Sequence, residues 1–208
     1  MEMVQQAREQ ETQKTSLQNV QSVQQFRGIV AKICPRFKVT EFNKIVLNEL
    51  FYYATRNPIG KLDTNKGIFL HGEIGTGKST LIKILAEFQR LYGNGFKTVN
   101  CASVAAYFAS YGIDSLNEHT WNDTWNGVHP CERAFDELGK ETIPAKHYGN
   151  ELNVMQHVIQ IRYDLKVKTH ITSNMQPGEI ETKYGSHIYD RAIEMFNFIE
   201  LKGESFRK

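Results

Sequence analysis

The chain has 208 residues, of which 40% are hydrophobic, 11% aromatic and 23% charged, a composition that excludes wholesale disorder and fits one domain with a modest extension. Its formal net charge of +2 is too small to argue for nucleic-acid binding by itself. The sequence shows no secretory leader and no apolar run long enough to span a membrane. Its three dispersed cysteines, Cys34, Cys101 and Cys131, form no disulfide framework or zinc ribbon, so we expect a cytoplasmic protein.

The charge is uneven: residues 1–66 hold 10 Lys and Arg against 6 Asp and Glu, and the remainder holds 15 against 17. The first 26 residues carry eight glutamines and only scattered apolar residues, which reads as a solvated helix or an arm that orders on a partner. We therefore expect an N-terminal extension over residues 1–38, including the acid-free basic stretch Arg27–Lys38, and a folded domain over 39–208. Thr40 is a suitable N-cap for a helix reaching about Asn57, with Phe42, Ile45, Val46, Leu50 and Tyr53 on one face.

From Gly67 the pattern becomes strand, turn, helix, repeated. Strands are expected at Gly67–His71, Lys97–Cys101, Arg133–Phe135, Lys168–Ser173 and Phe196–Leu201. Helices are expected at Thr80–Tyr92, Ser103–Tyr111 and Glu151–Leu165, and residues 112–130 read as a polar loop in which Trp121 and Trp125 pin the chain to the body or, alternatively, stack bases or grip a partner. Cys101 and Cys131 read as small core residues, and Arg162 as a structural or surface charge. The alternation implies an α/β fold with a five-stranded parallel sheet covered by helices on both faces. Glu132 and Arg133 are out of place at the head of a buried parallel strand, whose residues should be apolar.

The segment Gly72-Glu73-Ile74-Gly75-Thr76-Gly77-Lys78-Ser79, followed by Thr80, fits the phosphate-binding loop G-x-x-x-x-G-K-[ST] at every fixed position and lies between a strand and a helix. A triphosphate must be wrapped closely by backbone N–H groups; the glycines permit that approach, and the helix N-terminus adds partial positive charge. Lys78 would reach the β- and γ-phosphates of ATP, and Ser79 would ligate Mg²⁺. Hydrolysis needs further groups. Asp136 at a strand end can hold the Mg²⁺ ion through water, Glu137 can polarise the attacking water, and the tip Thr172-Ser173-Asn174 of the next strand can sense the γ-phosphate. The histidines show no paired ligand spacing for another metal.

Four stretches, GIFLHGEIGTGKS (67–79), FDELGKE (135–141), THITSNM (169–175) and YGSHIYDRAIEMFNFIELKGESFR (184–207), resemble the DnaC-like helicase loaders in order and spacing, and IstB-type transposition helper ATPases look much the same. Both belong to the AAA+ class of P-loop ATPases. The resemblance covers about residues 40–208 and implies that Asn174 stands at the sensor-1 position. It also implies that Arg191 is an arginine finger completing the site of an adjacent copy. With seven residues after Leu201, it further implies a domain without the C-terminal helical lid of most AAA+ proteins. The function it implies is an ATP-binding and hydrolysing accessory factor that loads or remodels a replicative helicase on single-stranded DNA, with weak turnover alone. The alternatives are a transposition helper acting on double-stranded DNA, a nucleotide-gated binding module without turnover, and, more distantly, a small-molecule kinase.

Overall fold

The computed structural model describes residues 20–35, 39–124, 127–203 and 205. The chain divides into two compact units, Met1–Lys38 and Val39–Lys208. In the first unit residues 20–33 form a helix, α1.

The second unit opens with α2 (Glu41–Thr55), capped by Thr40, whose side chain accepts from the Asn43 N–H while Asn43 returns a bond to the Thr40 N–H. Strand β1 (Gly67–His71) follows, then α3 (Lys78–Arg90), β2 (Lys97–Asn100) and α4 (Cys101–Tyr111). Helix α3 starts two residues earlier than its apolar face suggests, because the lysine and serine of the loop already form its first turn. Cys101 begins α4 rather than ending a strand, because the Asn100 side chain accepts from the Ala102 N–H and caps the helix there.

The stretch expected to be a loop contains a 3-10 turn at Ile113–Leu116 and a small hairpin of β3 (Asp123–Thr124) and β4 (Gly127–Val128). Trp121 is 41% exposed, and Trp125 lies outside the described residues. Strand β5 runs over Arg133–Leu138, and a second hairpin joins β6 (Ala145–His147) to β7 (Asn150–Leu152). That hairpin takes the residues expected to begin the next helix; α5 is Val154–Asp164, capped by Asn153. After β8 (Thr169–Ser173) come two helices that apolar spacing did not disclose, α6 (Pro177–Tyr184) and α7 (Ser186–Met195), and then β9 (Phe196–Glu200).

Five strands form one parallel sheet in the order β2-β5-β8-β1-β9. Val99, Phe135, Ile171, Phe69 and Phe198 lie side by side across it. Phe135, Ile171 and Phe69 pack into a core with Val104, Phe108, Met155, Val158, Ile188 and other buried residues of α4–α7. Because side chains alternate along a strand, Ala134, Asp136, His170, Thr172, Ile68 and Leu70 belong to the opposite side, where α3 packs. Chain order places β1 and β8 in the sheet's interior, so the loop after β1 and the tip of β8 emerge beside each other at its C-terminal edge.

The two charges heading β5 are paired. His170 is fully buried, accepts from the Ile68 N–H through Nδ1 at 3.0 Å, and meets Glu132 Oε1 through Nε2 at 2.7 Å. Arg133 is buried and donates to the Glu118 carbonyl at 2.9 Å. Arg162 is likewise interior: it lies over the Phe135 ring and donates to Thr169 Oγ1 and to the carbonyls of His119, Cys131 and Lys168. Cys101 is a core residue, whereas Cys131 is exposed, since its strand begins two residues later.

Candidate nucleotide site

The strand β1 delivers the chain to Gly72 (φ 134°), and the loop turns through Gly75 (φ 86°) and Gly77 (φ 98°) before α3 begins. These left-handed conformations are ones that a side chain would strain. Inside the loop Thr76 is buried and donates from Oγ1 to the Glu73 carbonyl at 2.9 Å, which fixes the turn. The Lys78 ammonium folds back into the loop and bonds the carbonyls of Gly72 at 2.7 Å and Glu73 at 2.6 Å. Lys78 is only 7% exposed, so a cation is held at the centre of a ring of backbone, at the end of a helix whose first N–H groups need acceptors. Ser79 and Thr80 are half-buried in the first turn of α3, and Ile74 is exposed at the loop's outer edge.

Ser79 Oγ donates to Asp136 Oδ1 at 2.7 Å, joining the end of the loop to β5. Two hard oxygen donors therefore meet at one point beside the cradle, and this fits Mg²⁺, which takes few protein ligands and fills its shell with phosphate and water. Among the described residues no cluster of three or more His, Cys, Asp or Glu side chains offers a competing metal site. Gly77 has nothing within 4 Å of where a Cβ would stand, leaving open space for a bound group.

The acids of β5 are arranged by an irregularity. Phe135 pairs with Ile171 and Leu138 with Ser173, so Asp136 and Glu137 together oppose the single residue Thr172. Such a bulge redirects side chains at a strand end. Glu137 takes φ 62°, and its N–H donates to Thr172 Oγ1 at 2.9 Å, while the same hydroxyl donates to Asp136 Oδ1. The Glu137 carboxylate accepts from the Asn100 amide at 3.0 Å and from the Lys140 ammonium. Asn100 and Thr172 are thus contacts of the acidic pair. Thr172 lay in a tripeptide already singled out, whereas nothing in the sequence around Asn100 marked it.

Asn174 stands just past the tip of β8, half-buried. Arg191 is on α7, where it donates to the His187 carbonyl at 3.0 Å and lies over the Tyr163 ring. It does not pair with Glu194, three residues on, because that carboxylate accepts from the Tyr163 hydroxyl at 2.7 Å. The structure groups Lys78, Ser79, Asp136 and Glu137, and keeps Arg191 on a separate helix. Below the loop, His71 is buried with Nδ1 unpartnered, and burial holds it below the usual histidine range, so the ring beneath the cradle is neutral.

A parallel sheet with a glycine loop between an interior strand and a helix, and an acidic pair on the strand beyond its neighbour, defines a P-loop α/β fold. The solved structures it resembles narrow this. DnaI superposes with a TM-score of 0.60 at 19% identity over 87% of this chain and 93% of that one. The DnaC helicase loader gives 0.59 at 15% identity over 82% and 96%, and a primosome component from Streptococcus pyogenes serotype M3 gives 0.60 at 19% over 81% and 84%. The chain therefore has the fold of DnaC-like AAA+ proteins. No family model and no curated protein matches the sequence.

Proposed function

We propose that this chain is an ATP-hydrolysing accessory factor of DNA replication that loads or remodels a replicative helicase on single-stranded DNA. The observation that carries the ATPase reading is the Ser79–Asp136–Thr172–Glu137 chain of contacts, which ties the loop's metal-side hydroxyl to two acids with separate environments. Asp136 is turned to Ser79 and would hold the metal ion with it; Glu137, one residue on, would accept the proton of the attacking water. Lys78 and the first amides of α3 would bind the phosphates, Asn174 would contact the γ-phosphate, and Arg191 would reach the site of a second copy. Mg²⁺ supplies charge neutralisation on the triphosphate. The likeness to DnaI and DnaC supports the assignment to helicase loading.

The test is ATP binding and turnover by two variants, with and without single-stranded DNA. Lys78→Ala is expected to lose nucleotide binding or turnover. Glu137→Gln is expected to keep binding and lose turnover by about 100-fold or more. Normal hydrolysis by Glu137→Gln would remove the catalytic assignment, and preference for double-stranded over single-stranded DNA would move the chain to the transposition-helper alternative.

A further inference from the structure

The end of the sheet away from the phosphate loop carries a cavity of about 470 Å³, within the roughly 300–1,000 Å³ of small-molecule sites. It lies where β1 and β8 begin and where α5 and α7 end. The length of β1, roughly 16 Å, separates it from Gly72. It is therefore no part of the nucleotide site.

Four cations line this cavity against two acids. The acids are turned to neighbours: Asp164 accepts from the Gln160 amide through both oxygens, and Glu194 accepts from the Tyr163 hydroxyl at 2.7 Å. Two ammonium groups donate to neutral main-chain oxygens, Lys66 to that of Ile193 at 3.0 Å and Lys168 to that of Thr64 at 2.6 Å. Arg162 adds its charge from the interior, where its nitrogens are already bonded. Lys166 differs from these three. It is exposed, and its ammonium has no acceptor among the described residues. Its φ of 54° is a left-handed conformation that the end of a helix ordinarily gives to glycine. The chain thus keeps a long cation at the cavity where a residue without a side chain would fit more easily.

Phosphate is a better acceptor for these ammonium groups than a neutral carbonyl, because ionic hydrogen bonds are stronger. A lysine meets it as a point charge, with no fixed fork to satisfy. The rest of the wall suits a flat body. The Tyr163 ring, held by the Arg191 guanidinium 5.1 Å from its centre and by the Glu194 carboxylate on its hydroxyl, presents aromatic surface. Met195 adds a thioether that adapts to the shape against it.

We propose that this cavity is a second ligand site, separate from the phosphate loop, for a small molecule of the nucleoside monophosphate class. Its phosphate lies on Lys66, Lys166 and Lys168, and its base packs against Tyr163. This goes beyond the ATPase reading and does not depend on it.

The experiment is calorimetric titration with adenosine, guanosine, cytidine and uridine monophosphates, their free nucleosides and ribose 5-phosphate. Each is added to the parent chain, with the phosphate loop saturated by AMPPCP and Mg²⁺, and to Lys78→Ala. A nucleoside monophosphate is expected to bind both proteins at one site with the same affinity, and its nucleoside and ribose 5-phosphate at least about ten-fold more weakly. Lys166→Glu should weaken binding by at least about ten-fold at an unchanged urea midpoint, and Lys66→Gln should act in the same direction. If AMPPCP displaces the monophosphate and Lys78→Ala loses it, the molecule belongs to the phosphate loop; the second site is then wrong while the reading of that loop stands. Parental affinity in Lys166→Glu, or no binding of any monophosphate, would overturn the proposal and leave the lysines as ties between chain ends. A nucleoside that binds as tightly as its monophosphate would overturn the phosphate assignment.

Discussion

One hydroxyl connects the two acids of the site. Thr172 Oγ1 accepts from the Glu137 N–H and donates to Asp136, and Asp136 in turn accepts from Ser79, so a buried threonine sets the positions of both carboxyl-bearing residues. Replacing it with valine keeps the shape and leaves a backbone N–H and a carboxylate short of a partner. Thr172→Val should lose about 1–3 kcal/mol of stability by urea denaturation and also lower turnover. Thr172→Ser, which restores the hydroxyl, should recover most of both. A valine variant that turns over ATP at the parental rate would show that the bulge holds its shape without this contact. Asn100 has a comparable double duty on the other side, capping α4 with its oxygen and meeting Glu137 with its amide.

At the level of elements, the position of the loop depends on how closely β1 approaches β8. A Cβ on Gly67 would lie 1.6 Å from the Thr169 carbonyl oxygen, so this strand can start only with glycine. Gly67→Ala should cost at least about 2 kcal/mol in urea denaturation, since two strand backbones must separate; a smaller loss would mean that the strand ends are loosely joined. The same scale explains what could be read in advance. The loop at 72–79 was legible because its pattern is contiguous: within eight successive residues the glycines, Lys78 and Ser79 each have a steric or electrostatic reason. The acids at 136–137 were legible as a pair, but their separate orientations were not, because a bulge is set by the register of β5 against residues more than thirty positions away. The charges at Glu132 and Arg133 argued against a buried strand only while their partners, His170 and the Glu118 carbonyl, were unknown. Helix α5 begins at Val154 rather than at Glu151 because Asn153 caps it, while the residues before it carry polar and apolar types that suit a helix equally well. Helices α6 and α7 are short, with few buried residues each, and so left little periodicity to detect.

Across the whole molecule, four histidines are held below their ordinary range by burial. Burial lowers His71, His157 and His170 from their ordinary value of 6.5 and takes His119 down to about 4, with Arg133 adding to the effect at His119. The sign follows directly. Below about pH 6.5 the unfolded chain binds protons that the folded chain refuses, so stability is fully present above that pH and is lost progressively as pH falls toward 4. The urea midpoint should therefore be flat between pH 8 and 7 and decline through pH 6 and 5. A midpoint unchanged down to pH 5 would mean that these rings are hydrated in solution. Among the described residues no helix is long and apolar enough to cross a membrane.

The chain that leaves β9 returns to the cradle. The Leu201 N–H bonds the His71 carbonyl at 2.7 Å, the Leu201 carbonyl crowds the space a Cβ on Gly72 would need, and Ser205 does the same at Gly75. Ser205 thus stands at the doorway of that loop, and an environment-sensitive dye attached at this one position would report each filling and emptying of the cradle.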